Sequence, residues 1–398
     1  MYDPRPLIAH LLRRVSFGPL PGQVEELAAG GVAQAIESVL RAEVLPPFDH
    51  PTKSDDDIAT PWIKQMQDPR SGLAEKVTWF WHGHFTSSVT QVDDVRLLYR
   101  QYMLLRRHAL GDFRQMAQEI TVDPAMLIYL NGDGSTGESP NENYGRELME
   151  LFVLGRGNYT QADVRAAARG LAGWSVQDGG ARFDPEAAHH GELTFLGRTG
   201  QFQALTVVDT VCDHPSSAPF VVTRLHRYIA GTYPSPERRD ELARVFRDSG
   251  LNVGTLVTAI LRHPSFLESR LNRPRYPVEW VTAATAALGA PASLDTCLAL
   301  GQVPFEPPNV AGWPSGQRWL APGPALARSS LAVTAPVVDE IAAAQDPVDA
   351  ALARCSLYEV GATTRAALQR AAAATTDPAK RAAGLLALAV ASPEFALA

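Results

Sequence analysis

The chain has 398 residues, 45% hydrophobic and 20% charged, an ordinary globular balance in a chain long enough to bury a sizeable core. A net charge of −7 argues against a general nucleic-acid binder. Three scattered cysteines, Cys212, Cys297 and Cys355, offer neither a disulfide framework nor zinc-ligand spacing.

In chain order, residues 5–15, 20–43, 72–108, 111–121, 141–154 and 160–173 carry helical periodicity or strong helix formers, punctuated by Gly and Pro. The Pro-rich polar stretch 45–61 reads as a loop. Arg96, Arg100, Arg106 and Arg107 fall close together and read as a solvated helix face. From Trp174 to Gly200 the pattern becomes Gly-rich, with a short strand or hairpin at Glu192–Leu196. Helices resume over 203–288. A second irregular stretch, 302–324, is rich in Pro and Trp, and the Ala-rich tail 325–398 reads as helical. The expected architecture is mainly α: one large helical domain over 1–398, with a small irregular β-hairpin insertion near 180–200. Residues 325–398 are a candidate C-terminal helical subdomain. No apolar run approaches the ~18 residues of a membrane span. The N-terminal residues lack the apolar core of a signal peptide, so the sequence as written reads as cytoplasmic.

The stretch from Pro140 to Phe152 holds the densest chemistry. Asn141 is an N-cap and Gly155 a C-terminal stop. At roughly 100° per residue, Glu142, Asn143, Arg146, Glu147 and Glu150 share a sector of about 140° on a helix that reads as buried. The pairs Glu142–Arg146 and Arg146–Glu150 are spaced i,i+4 and form a ladder. One arginine does not neutralise three carboxylates, so an outside cation, a second base or a proton must complete the balance. His82 and His84 chelate one ion only if the chain is extended there or breaks at Gly83, because on a helix i and i+2 point about 200° apart. Joined to the glutamates they would give mixed N/O ligands for a divalent metal. The plainer reading makes both core histidines, bonded to carboxylates.

Two functional classes follow. In the first, Glu142, Arg146, Glu147 and Glu150 form a hydrolase-like site with acid, base or metal-ligand carboxylates. Trp174, Trp313 and Asn309 would then bind substrate, and a divalent metal on His82 and His84 is the candidate cofactor. In the second, the Glu/Arg/His network only specifies packing in a non-catalytic scaffold or partner-binding protein.

Several long stretches match a known family in order: His10–Gly18, Phe80–Phe85, Asp123–Leu127, Asn141–Phe152, Gly170–Trp174 and Phe305–Pro314. Over nearly its whole length the chain resembles the bacterial domain-of-unknown-function family 1800 (DUF1800). The resemblance implies a largely helical fold with no general reaction assigned. It also implies relatives that are often exported, beside a partner similar to the alkaline-phosphatase and sulfatase superfamily. Relatives commonly show His-Asp and then Lys before a Leu-Gly pair. Here His189-His190-Gly191-Glu192-Leu193 precedes Leu196-Gly197, a departure that bears on any shared chemistry.

Overall fold

A computed structural model describes residues 3–41, 45–53, 56–321, 328 and 339–398. The fold is 58% helical with two small two-stranded antiparallel sheets. Many helices begin where the sequence supplies a cap. Asp94, Asp112, Asp123, Asn141, Asn252 and Asp377 each accept a backbone N–H of the turn that follows, satisfying donors that helix geometry leaves unpaired. Thr160 and Asp163 form a reciprocal capping box on the Gln161–Gly170 helix.

The predicted helix over 72–108 is three helices, Leu73–His84, Val95–Arg107 and the single turn Val89–Val92 between them. Phe85 ends the first, and Asp93 turns with a positive φ of 54° ahead of the Asp94 cap. The predicted loop 45–61 gives way to a helix at Ala59–Met66. The insertion begins earlier than the sequence suggested and holds two hairpins. Trp174–Gln177 pairs with Gly180–Phe183, and Leu193–Phe195 with Arg198–Gly200. Asp178-Gly179 turns the first, both residues at positive φ, as a tight two-residue hairpin loop requires. His189 and His190 lie between the hairpins, outside both strands.

The four arginines near residue 100 form no free basic face. Arg96 pairs with Asp94, Arg107 with Glu119, and Arg100 donates to the Gly179 carbonyl. Arg106 is buried against Glu75. One apolar cluster runs from Ile8 to Phe395. Of the expected C-terminal unit, 322–327 and 329–338 lie outside the described residues. Beyond them Leu385, Leu386, Ala389 and Val390 of the Pro378–Val390 helix join that cluster, and Ala398 N–H donates to the Arg273 carbonyl. No helix among the described residues is long and apolar enough to cross a membrane.

Candidate functional site

The glutamate stretch is helical, but only Glu142–Glu147 is α-helical; Leu148–Val153 widens to a π-helix. That change of winding is invisible to a 3.6-residue period, and π turns recur at functional sites. The apolar side is sealed, with Leu148, Met149, Phe152 and Val153 buried. The polar side is not. Glu142 and Arg146 form an ion pair at 3.0 Å with both side chains 37% exposed, and Gln161 Nε2 donates to Glu142 at 2.7 Å. The expectation of a buried charged helix is therefore corrected: its polar face looks outwards.

The missing base is Arg156, whose Nε meets Glu150 at 2.6 Å while the Tyr159 hydroxyl donates to the same carboxylate at 2.7 Å. Those two hydrogen bonds hold the Glu150 carboxyl below its ordinary range. Burial and then the Glu150 charge push Glu147 the other way, above the ordinary range. The ladder is thus Glu142 to Arg146 and Glu150 to Arg156, with Glu147 between them.

His82 and His84 face opposite sides of an unbroken helix, which runs through Gly83. His82 sits among Trp62, Trp79, Phe305 and Trp313, and its Nε2 accepts the Phe305 N–H at 3.0 Å. His84 sits against Phe80, Trp81, Phe85 and Phe152, and its Nε2 donates to the Phe152 carbonyl at 2.8 Å. Burial pushes His82 down to about 3 and His84 well below the usual histidine range, so both rings are neutral at physiological pH. The pair does not converge on one ion, and among the described residues neither ring hydrogen-bonds a carboxylate. Each instead clamps a different segment onto the helix: His82 the 302–320 loop, His84 the π-helix. Among the described residues, no group of three or more His, Cys, Asp or Glu side chains is placed to hold a metal ion.

Of the aromatic and amide candidates, Trp174 lies on a strand with its ring against Phe183, not in a loop. Asn309 is exposed, and its side chain shapes the turn by accepting the Ala311 N–H. Trp313 alone of the three lines a substantial pocket, a cavity of about 460 Å³. The Leu73–His84 helix contributes Trp79, Phe80 and Gly83 to it; the Ser217–Ala230 helix contributes Arg224, Arg227 and Tyr228. Tyr276 and the 302–318 segment, with Gln302, Trp313, Ser315 and Arg318, complete it. None of Glu142, Arg146, Glu147 and Glu150 is among its walls.

The pocket wall is firmly seated. Trp313 stacks on Trp79 at 5.0 Å and 24°. Thr86 donates to the Val310 carbonyl, Val89 N–H to the Phe305 carbonyl, and Phe305 N–H to His82. At the tightest point a Cβ on Gly312 would lie 2.3 Å from the Gly83 carbonyl oxygen. The charge is one-sided, since among the described residues no Asp or Glu lines the pocket. The Arg224 and Arg318 side chains make no ion pair or hydrogen bond among the described residues, and Arg227 is held by Ser315 Oγ at 2.8 Å. Burial and then the Arg227 charge push Arg224 below its ordinary value. Beneath Tyr228 and Tyr276 lie Arg273 and Lys76, sharing the single carboxylate of Glu279. These arginines went unnoticed in the sequence, although the signal was there: Arg224 and Arg227, i,i+3 on a helix with no acidic residue.

The family described as protein of unknown function (DUF1800) matches residues 10–397. The chain belongs to the DUF1800 family. No curated protein and no solved structure matches it. Two of the stretches that carry the family resemblance, Phe80–Phe85 and Phe305–Pro314, meet at this pocket, which gives the DUF1800 chain a site formed by segments more than 200 residues apart.

Proposed function

We propose that this DUF1800 chain is a non-catalytic binding protein whose functional centre is the arginine-rich aromatic pocket, and that the pocket takes an anion. The observation that carries this reading is the presence of three guanidiniums around one cavity with no carboxylate in its walls. Arg224 and Arg227 are half-buried and Arg318 is exposed, so solvent screens their mutual repulsion only in part and a bound anion would relieve it. Arginine forks match the oxygens of phosphate-type and carboxylate anions. The cavity has the size of small-molecule sites, about 300–1,000 Å³, and its aromatic walls set apolar surface beside the arginines. On this reading Glu142–Arg146 and Glu150–Arg156 are surface ion pairs that fix the end of one helix.

The test is thermal unfolding in phosphate against chloride at equal ionic strength. Phosphate should raise Tm for the wild type, because a ligand that binds only the folded state stabilises it by about 2.7 kcal/mol at 100 times Kd. The Arg224→Gln, Arg318→Gln double variant should lose that increment. An equal increment in both proteins would overturn the reading.

A second reading, a carboxylate-dependent hydrolase, is supported by the opposed shifts of Glu147 and Glu150. A pair whose environments push their pKa values apart has the makings of a general acid and a general base. It expects Glu147→Gln to abolish a hydrolytic activity found on ester or glycoside panels, by a factor of about 10²–10⁴. Unchanged turnover in that variant would remove it.

A further inference from the structure

We infer that the ligand of this pocket is a phosphate monoester of a ring compound, its dianion held by Arg224, Arg227 and Arg318 and its ring laid on Trp313. The inference rests on the anion-binding reading above and adds the ligand's class.

The anionic end follows from counting charge. Three guanidiniums without a carboxylate present about three positive charges, and a single carboxylate group offers one negative charge and two oxygens. A phosphate monoester carries −1.5 to −2 at pH 7 and three acceptor oxygens, enough to engage three forks and cancel more of that charge than a single carboxylate can. The buried Lys76, Arg273 and Glu279 beneath the two tyrosines carry a net single positive charge, which adds to the same field. Two of the three arginines are also held in place before any ligand arrives. Arg227 is pinned to Ser315 and lies over the Tyr233 ring at 4.8 Å, and Arg224 lies over Phe220 at 5.8 Å. Side chains already ordered lose less entropy on binding.

The ring end follows from the wall. Trp313 has one face on Trp79, and Gly83 has no Cβ where one would touch the indole at 3.6 Å. The indole therefore lies along the helix surface as a flat platform lining the cavity. Tyr228 and Tyr276 supply the other aromatic surface. A bare inorganic anion would use the arginines and leave this apolar area wet. A flat ring joined to the anion buries it, and stacking on an aromatic platform adds affinity that the bare anion lacks. The ring is either aromatic or a sugar, since both present a stackable face.

The experiment is isothermal titration of the full chain with inorganic phosphate, phenyl phosphate, glucose 6-phosphate and phenol. At least one ring phosphate should bind tenfold or more tightly than inorganic phosphate, and phenol should not bind. Which ring phosphate wins identifies the ring. Trp313→Leu should reduce the ring phosphate to the affinity of inorganic phosphate while leaving inorganic phosphate itself unchanged, and Trp313→Phe should restore most of the difference. Arg224→Gln with Arg318→Gln should lose both. If inorganic phosphate binds as tightly as both ring phosphates, the ring assignment fails while the anion reading stands. If no phosphate binds, or the arginine variants bind as wild type, both fail together.

Discussion

Glu279→Gln is expected to lower the unfolding free energy by about 3–5 kcal/mol, the usual cost of breaking a buried ion pair by removing one partner. The Glu279 carboxylate is 1% exposed. It accepts from Lys76 Nζ at 2.5 Å, from Arg273 at 2.9 and 3.1 Å, and from the Tyr276 N–H at 3.0 Å. Glutamine fills the same space but leaves Lys76 and Arg273 as two uncompensated charges in a dry site. Urea denaturation at neutral pH measures the loss. Adding Lys76→Met to Glu279→Gln removes one of the stranded charges and should recover part of it.

The pH dependence gives an independent check. Burial by itself would raise the Glu279 carboxyl, but Arg273 and then Lys76 outweigh it and hold the group at about 2, below its usual 4.5. A carboxyl whose folded value is depressed binds protons more readily when unfolded. Its contribution is complete above pH 4.5 and is lost as pH falls towards 2. The stability difference between wild type and Glu279→Gln should therefore shrink across that acid window. A difference that stays constant down to pH 2 would mean the carboxylate charge is not what stabilises this region.

Gly312→Ala should detach the pocket wall without melting the helices. Gly312 has φ of +80°, and an added Cβ would fall 2.3 Å from the carbonyl oxygen of Gly83. The left-handed conformation costs an L-residue about 1–2 kcal/mol. The clash is with helix backbone, which has no rotamer by which to retreat. The loop must move instead, carrying Trp313 off Trp79. The expected result is a lower Tm, retained far-UV helical signal, and a tenfold or greater loss of ring-phosphate affinity with inorganic phosphate binding less affected. Wild-type Tm and affinity would show that the loop is not held where the structure places it.

Several features could be read from residues alone because their causes are local. The helix starts at Asp112, Asn141 and Asp377 follow from side chains that cap their own next turn, whereas the break before Asp94 was not read. The β insertion was legible in the Gly-rich pattern over 174–200, although the sequence placed one hairpin, at Glu192–Leu196, where there are two, and passed over the turn at Asp178-Gly179. The excess of carboxylate over arginine in 142–150 called for an outside cation, a second base or a proton; in the structure Arg156, just past the helix end, pairs with Glu150. The exposure of that polar face could not be read, because burial is decided by what packs against a helix and not by its own period. The widening at Leu148 was hidden for the same reason.

The sequence by itself determined a mainly helical DUF1800 chain with a short β insertion, since periodicity, caps and turn residues act within a few positions. Only the tertiary structure decided where the chemistry gathers. It set His82 and His84 on opposite sides of one helix, where each holds a different segment through a backbone group. It brought Arg224 and Arg227 from one helix, Trp79 from another and Trp313 and Arg318 from a loop around one cavity. Nothing in local sequence encodes that meeting, because it depends on long-range packing that places residues 79 and 313 ring against ring.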